Sequence, residues 1–149
     1  MPADSVFGHG LKVKQGDLDF AAGQLTEIFG RDNLVQALVL RIQTPFGSDI
    51  FNTSYGLDIR SAFSEPNSVA VVKELIKLNL VRTLGTDGRV RDIRDIIFLF
   101  EDDPDYRARH PELTDAQLAD DRHRRAWKVE ILIDTADNQT QTLTATVGV

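Results

Sequence analysis

The sequence predicts an α+β fold, with helices packed on a small antiparallel sheet and a β-hairpin at the C-terminal end. Three observations predict it. Helical stripes in "NLVQALVLRIQT" and "EPNSVAVVKELIKLNLVRTLG" come before the strand-like runs "DIIFLFEDD", "AWKVEILIDTA" and "TQTLTATVGV", an order that favours α+β over alternating βαβ units. The last two runs alternate apolar and polar residues with the period of two expected of a strand covered on one face. At 149 residues and 42% hydrophobic, the chain has apolar side chains enough for one core, and one domain spanning 1–149 is expected.

The first thirty residues carry Gly8, Gly10, Gly16, Gly23 and Gly30, which interrupt any long regular element and predict short strands or turns without an internal repeat. Asp32 is the expected N-cap of the first helix, whose core face is Leu34, Ala37, Leu38 and Ile42, widened by Val35 and Val39. Pro45 disfavours a helical Thr44 and Gly47 permits a sharp turn, so this helix should stop there. Asn67 or Ser68 can cap the second helix; Val69, Val72, Leu75, Ile76 and Leu80 form its stripe, and Gly85 is the expected left-handed C-terminal cap. In the final hairpin Val129, Ile131 and Ile133 should face the core, and "ADNQ" should turn the chain into a strand with Thr140, Thr142, Thr144 and Thr146 on one side. The charged segment 103–125 is expected to project from the body as an insertion, with Thr114 and Gln117 spaced as a capping box.

Composition excludes several function classes. A net charge of −6 lacks the clustered cations that neutralise phosphates, so no nucleic-acid role is expected. The absence of cysteine removes disulfides, thiolate metal sites and thiol nucleophiles. The N-terminal residues lack a basic region followed by an apolar run, and no later run approaches spanning length, so the expectation is a cytoplasmic protein without membrane insertion.

Individual residues offer little chemistry. His9, His110 and His123 lack metal-ligand spacing, and "EDDPD" from Glu101 to Asp105 lacks the alternating oxygens and central glycine of a calcium loop; neither a metal nor a cofactor is expected. Glu27, Glu65 and Glu101 are the carboxylates available for glycoside hydrolysis, but their neighbours are polar or turn residues rather than the apolar surroundings that tune a general acid. Ser48 and Ser54 have no nucleophile-elbow pattern, and no glycine run matches a phosphate-binding loop. The cluster Arg82, Asp87, Arg89, Arg91, Asp92, Arg94 and Asp95 fits either a solvated element end or an arginine-anchored partner site.

Taken together, these segments resemble the lysozyme-like baseplate wedge family of contractile phage tails, contractile injection systems and type VI secretion baseplates, roughly from Gly16 to Ile97 and again in the terminal hairpin. "GDLDFAAGQLTEIFGRDNLVQAL" is similar to the family's Gly-Asp lead-in and Asn-x-x-Gln helix start, here Asn33 and Gln36, and "RIQTPFGSDIFNTSYGLDI" to its helix end, Thr-Pro-x-Gly turn and Tyr-Gly loop, here Thr44, Pro45, Gly47, Tyr55 and Gly56. Where the family commonly has Glu-Pro-Arg, this chain has Asp87, Gly88 and Arg89, and loss of the proline predicts a looser turn. The resemblance implies a non-enzymatic component, six copies to a baseplate ring, assembled from the cytoplasm, with the other wedge proteins and the sheath subunit as partners. It implies partner contacts through Asp87, Arg89, Tyr55, Gly56, Asn33, Gln36 and Thr44, and a sheath-contacting strand carrying Thr140, Thr142, Thr144 and Thr146. Pattern alone favours that strand completing its own sheet, and the resemblance reverses this; a peptidoglycan-cleaving enzyme is the alternative function.

Overall fold

The computed structural model describes residues 4–99 and 126–148, together with Ala108, Pro111, Glu112, Thr114 and Ala116. The chain mixes helix and strand: small antiparallel pairs at the N-terminal end and a three-stranded antiparallel sheet at the C-terminal end. Gln117 of the expected capping box, the acidic run from Glu101, His110 and His123 lie outside the described residues.

After a short helix α1 (Asp4–Phe7), six short strands follow: β1 (His9–Leu11), β2 (Val13–Lys14), β3 (Asp17–Leu18), β4 (Phe20–Ala21), β5 (Gln24–Leu25) and β6 (Glu27–Phe29). They pair as β1 with β6, β2 with β3 and β4 with β5, which makes a three-lobed clover. At its centre the Lys12 N–H donates to the Thr26 carbonyl (2.8 Å), the Thr26 N–H to the Asp19 carbonyl (2.9 Å) and the Asp19 N–H to the Lys12 carbonyl (2.9 Å), which closes a ring. The ring residues recur every seven positions, as do Gly16, Gly23 and Gly30, so this segment contains a short repeat, contrary to the sequence expectation. Two lobes turn on Gln15-Gly16 (φ 54° and 86°) and Ala22-Gly23 (φ 51° and 79°), a positive-φ pair suited to two-residue hairpins of right-handed twist. Alanine is poorly suited to that conformation, whereas asparagine tolerates it. Ala22→Asn should therefore raise stability by about 0.5–1 kcal/mol, read as a higher urea midpoint at unchanged m.

Helix α2 (Gly30–Gln43) begins three residues before the expected start. Phe29 is its N-cap and makes no side-chain cap bond, while Asp32 sits in the first turn, where its charge suits the helix dipole. Gly30, at φ 61°, sets this start by donating its N–H to the Gly8 carbonyl (3.0 Å). The helix ends at Gln43 because Thr44, before Pro45, is extended at φ −86° and ψ 123°. A loop leads to α3 (Arg60–Phe63), then to α4 (Val69–Leu84), which Ser68 caps by accepting the Val71 N–H (3.4 Å). Gly85 is right-handed at φ −67°, not left-handed, because the chain continues directly into a turn closed by the Asp87 N–H on the Leu84 carbonyl (3.1 Å). Val69 is exposed, and the buried stripe runs instead through Val72, Ile76, Leu80 and Leu84.

Strands β7 (Val90–Leu99), β8 (Ala126–Thr135) and β9 (Thr140–Gly148) form the sheet in that order. Val129, Ile131 and Ile133 are buried, as are Leu143, Ala145 and Val147, whereas Thr140, Thr142, Thr144 and Thr146 are exposed, as the alternation predicts. The hairpin turn is closed by the Thr135 N–H on the Gln139 carbonyl (2.9 Å) with Asn138 at φ 61°. One buried cluster joins Leu34, Leu38 and Ile42 of α2, the α4 stripe and the inward residues of all three strands.

Candidate interaction surface

The loop between α2 and α3 is tied down at its root. The Leu57 N–H donates to the Thr44 carbonyl (2.9 Å) and the Phe46 N–H to the Leu57 carbonyl (3.1 Å). From α4, the Asn79 amide donates to the Asp58 carbonyl (2.7 Å) and the Thr83 hydroxyl to the Gly56 carbonyl (3.1 Å). Gly56 is buried at φ 104°, and a Cβ there would lie 2.5 Å from the Thr44 carbonyl oxygen, so only glycine fits. Arg41 of α2 stacks 4.8 Å from the centre of the Tyr55 ring and donates to Thr86 Oγ1 (3.0 Å).

Beside this stack, Arg89 grips Asp87 through Nε (2.9 Å) and Nη2 (2.8 Å), and its N–H donates to the same carboxylate (3.1 Å). The turn is therefore closed rather than loose: the Asp87 carboxylate and the Val90 N–H on the Asp87 carbonyl (2.9 Å) supply the constraint that a proline would have given. Arg89 Nη1 also donates to the Phe7 carbonyl (3.3 Å), which accepts the Asn33 amide as well (2.9 Å). Gln36 accepts the Val13 N–H and donates to the Leu11 carbonyl, both at 2.8 Å.

Of the residues expected at partner contacts, Asn33 and Arg89 thus meet at the Phe7 carbonyl, Asp87 is held by Arg89, and Tyr55 stacks with Arg41. Gln36 joins α2 to the clover. Thr44 caps α2 by donating its hydroxyl to the Leu40 carbonyl (2.7 Å). These ties anchor residues 7–13 to the helical body, a role the sequence reading missed because the anchored groups are backbone N–H and C=O groups with no sequence signature.

The Arg89 fork, opposed by partial burial, holds the Asp87 carboxyl below the usual carboxylate range. Asp134 is lowered by Arg94 and Thr140, and Asp137 by the Thr135 hydroxyl and Arg31. With folded values below unfolded ones, these pairings contribute fully above the unfolded carboxyl pKa of about 3.9 and are lost as pH falls through the folded values. Asp87→Asn should destabilise the protein at pH 7, and the gap from wild type should narrow below about pH 4. Urea midpoints at both pH values check this.

The sheet's two edges differ. Strand β7 carries Arg91, Asp92, Arg94 and Asp95 and has register shifts at Val90/Asp92 and Ile93/Asp95. Strand β9 pairs with β8 without a shift from Thr140 to Gly148, carries no charge, and has no strand on its other side among the described residues. A groove of about 140 Å³ between Thr44, Pro45, Leu57, Thr146 and Gly148 brings the loop root to the end of this edge. Glu27 and Glu65 are exposed, and Glu101 lies outside the described residues. His9 is exposed and stacks on Phe29, with ring centres 6.0 Å apart.

No family model matches the chain, and comparison with curated proteins finds no match. No helix among the described residues is long and apolar enough to cross a membrane.

Proposed function

We propose that the chain is a non-enzymatic baseplate component of a phage tail or contractile injection machine, linking the wedge to the sheath and templating sheath assembly. The observation that carries this reading is the edge asymmetry: β7 is guarded by charges and irregular register, whereas β9 is smooth and uncharged and, with α2 packed against it, has no strand on its other side among the described residues. A strand edge without guarding charges can add a strand from another chain through main-chain hydrogen bonds. In this reading α2, packed against β9, and α4, against β7, keep the sheet rigid. The sheath subunit adds at Thr140–Gly148, and the wedge proteins meet the surface around Arg89, Asp87 and Tyr55. The sequence resemblance to the lysozyme-like baseplate wedge family supports the same assignment, including six copies to a ring and assembly from the cytoplasm.

Deleting the gene in the native host and imaging pelleted particles by negative-stain electron microscopy, with mass spectrometry of the pellets, tests this role. The expected result is sheathed tubes containing the protein in wild type, and bare tubes or free sheath in the deletion. Normal sheathed particles in the deletion, or a protein that never enters a particle, would overturn the assignment.

A further inference from the structure

The tip of the α2–α3 loop holds two apolar side chains in the open: Ile50 is 87% exposed and Phe51 98%. The backbone beneath them is fixed. Asp49 Oδ1 accepts the N–H groups of Phe51 (2.8 Å) and Asn52 (3.2 Å), the Tyr55 N–H donates to the Asn52 carbonyl (3.0 Å), and the Ser48 N–H donates to the Pro45 carbonyl (3.1 Å). Together with the root ties from Asn79 and Thr83, these bonds order the tip before any partner arrives, so little entropy is lost on binding. Two large side chains projecting from one narrow turn have the form of a knob, and such anchors gain most when they fill a desolvated pocket.

Charge selects the kind of surface that carries the pocket. Residues 44–59 include Asp49 and Asp58 but no Lys or Arg. Anionic lipid surfaces attract basic segments, so this loop is poorly matched to them. A cation beside an apolar pocket would instead complement Asp49, which stands directly before the knob.

We propose that Ile50 and Phe51 insert into an apolar pocket on a different protein, with a Lys or Arg at the pocket rim facing Asp49. This goes beyond the baseplate reading and does not depend on it.

The test places p-benzoylphenylalanine at position 51 in the native host, irradiates intact cells and maps the crosslinked peptides by mass spectrometry. The expected product is one peptide of one other protein, with apolar residues beside a Lys or Arg. Ile50→Ser should lower its yield about tenfold. Asp49→Asn keeps an oxygen that can accept the two N–H groups but removes the charge, and should lower the yield several-fold. Urea midpoints of both variants exclude unfolding as the cause. A parallel arm sediments the purified wild-type chain with phosphatidylcholine vesicles and with phosphatidylserine-containing vesicles, and no binding is expected. Crosslinks to a second copy of this chain, crosslinks scattered over unrelated proteins, no crosslink, vesicle binding that Phe51→Ser abolishes, or a yield unaffected by Asp49→Asn would each overturn the proposal.

Discussion

Alanine at Gly56 is expected to remove about 3 kcal/mol or more of stability, a large share of the 5–15 kcal/mol typical of a domain. Two costs combine. At φ 104° any L side chain is strained, by about 1–3 kcal/mol. The new Cβ would also lie 2.5 Å from the Thr44 carbonyl oxygen and 2.9 Å from the Pro45 carbonyl atoms, and backbone of this kind cannot swing aside as a side-chain end can. Forced shifts in packed structure cost about 1–3 kcal/mol more. Relief would require separating Thr44 from Leu57, whose N–H donates to the Thr44 carbonyl, so the loop root should open and the Arg41–Tyr55 stack with it. Urea denaturation measures the loss. A midpoint within experimental error of wild type would refute this account of the root.

Arg89→Ala is expected to leave the domain folded while blocking its incorporation into particles. The stability loss should be about 1 kcal/mol: the Asp87 fork and the Phe7 contact disappear, but the Arg89 side chain is 30% exposed and water offsets part of the change. Arg31→Ala is the control, because it also breaks a tie between distant segments, the Arg31–Asp137 ion pair, yet lies outside the proposed wedge surface. Its incorporation should be normal. Incorporation of folded Arg89→Ala at the wild-type level would remove Arg89 from the interface and leave it as the fastener of residues 7–13.

Much of the fold was readable in the sequence wherever a local rule acts alone. Pro45 stopped α2 because its ring restricts Thr44 whatever lies nearby, and the Thr alternation placed the two faces of β9 because one face had to be buried. Expectations failed where a distant backbone group decided the outcome. The start of α2 follows from the Gly8 carbonyl that accepts the Gly30 N–H, not from Asp32. The clover's seven-residue repeat is legible in Leu11, Leu18 and Leu25 and in Gly16, Gly23 and Gly30, but the main-chain ring that it builds is not, and Val13, Phe20 and Glu27 differ at equivalent positions. Gly85 looked like a left-handed cap, but the following turn uses right-handed backbone.

Asn33, Gln36, Tyr55, Gly56, Asp87 and Arg89 were picked out as a set through the family resemblance alone, and nothing in their spacing indicated that Asn33 and Arg89 share the Phe7 carbonyl. The charges on β7 were visible, whereas the register shifts that make it the guarded edge depend on its pairing with β8.

The central claim, that β9 offers its edge to the sheath, is tested most directly by complementing the deletion with Thr142→Lys/Thr144→Lys. Both side chains are exposed, so the fold should hold, while two lysines give β9 the protection against strand addition that its sequence lacks. The account predicts particles that contain the variant in their baseplates but whose tubes are bare of sheath in negative stain. Fully sheathed particles carrying the variant at wild-type abundance would contradict it.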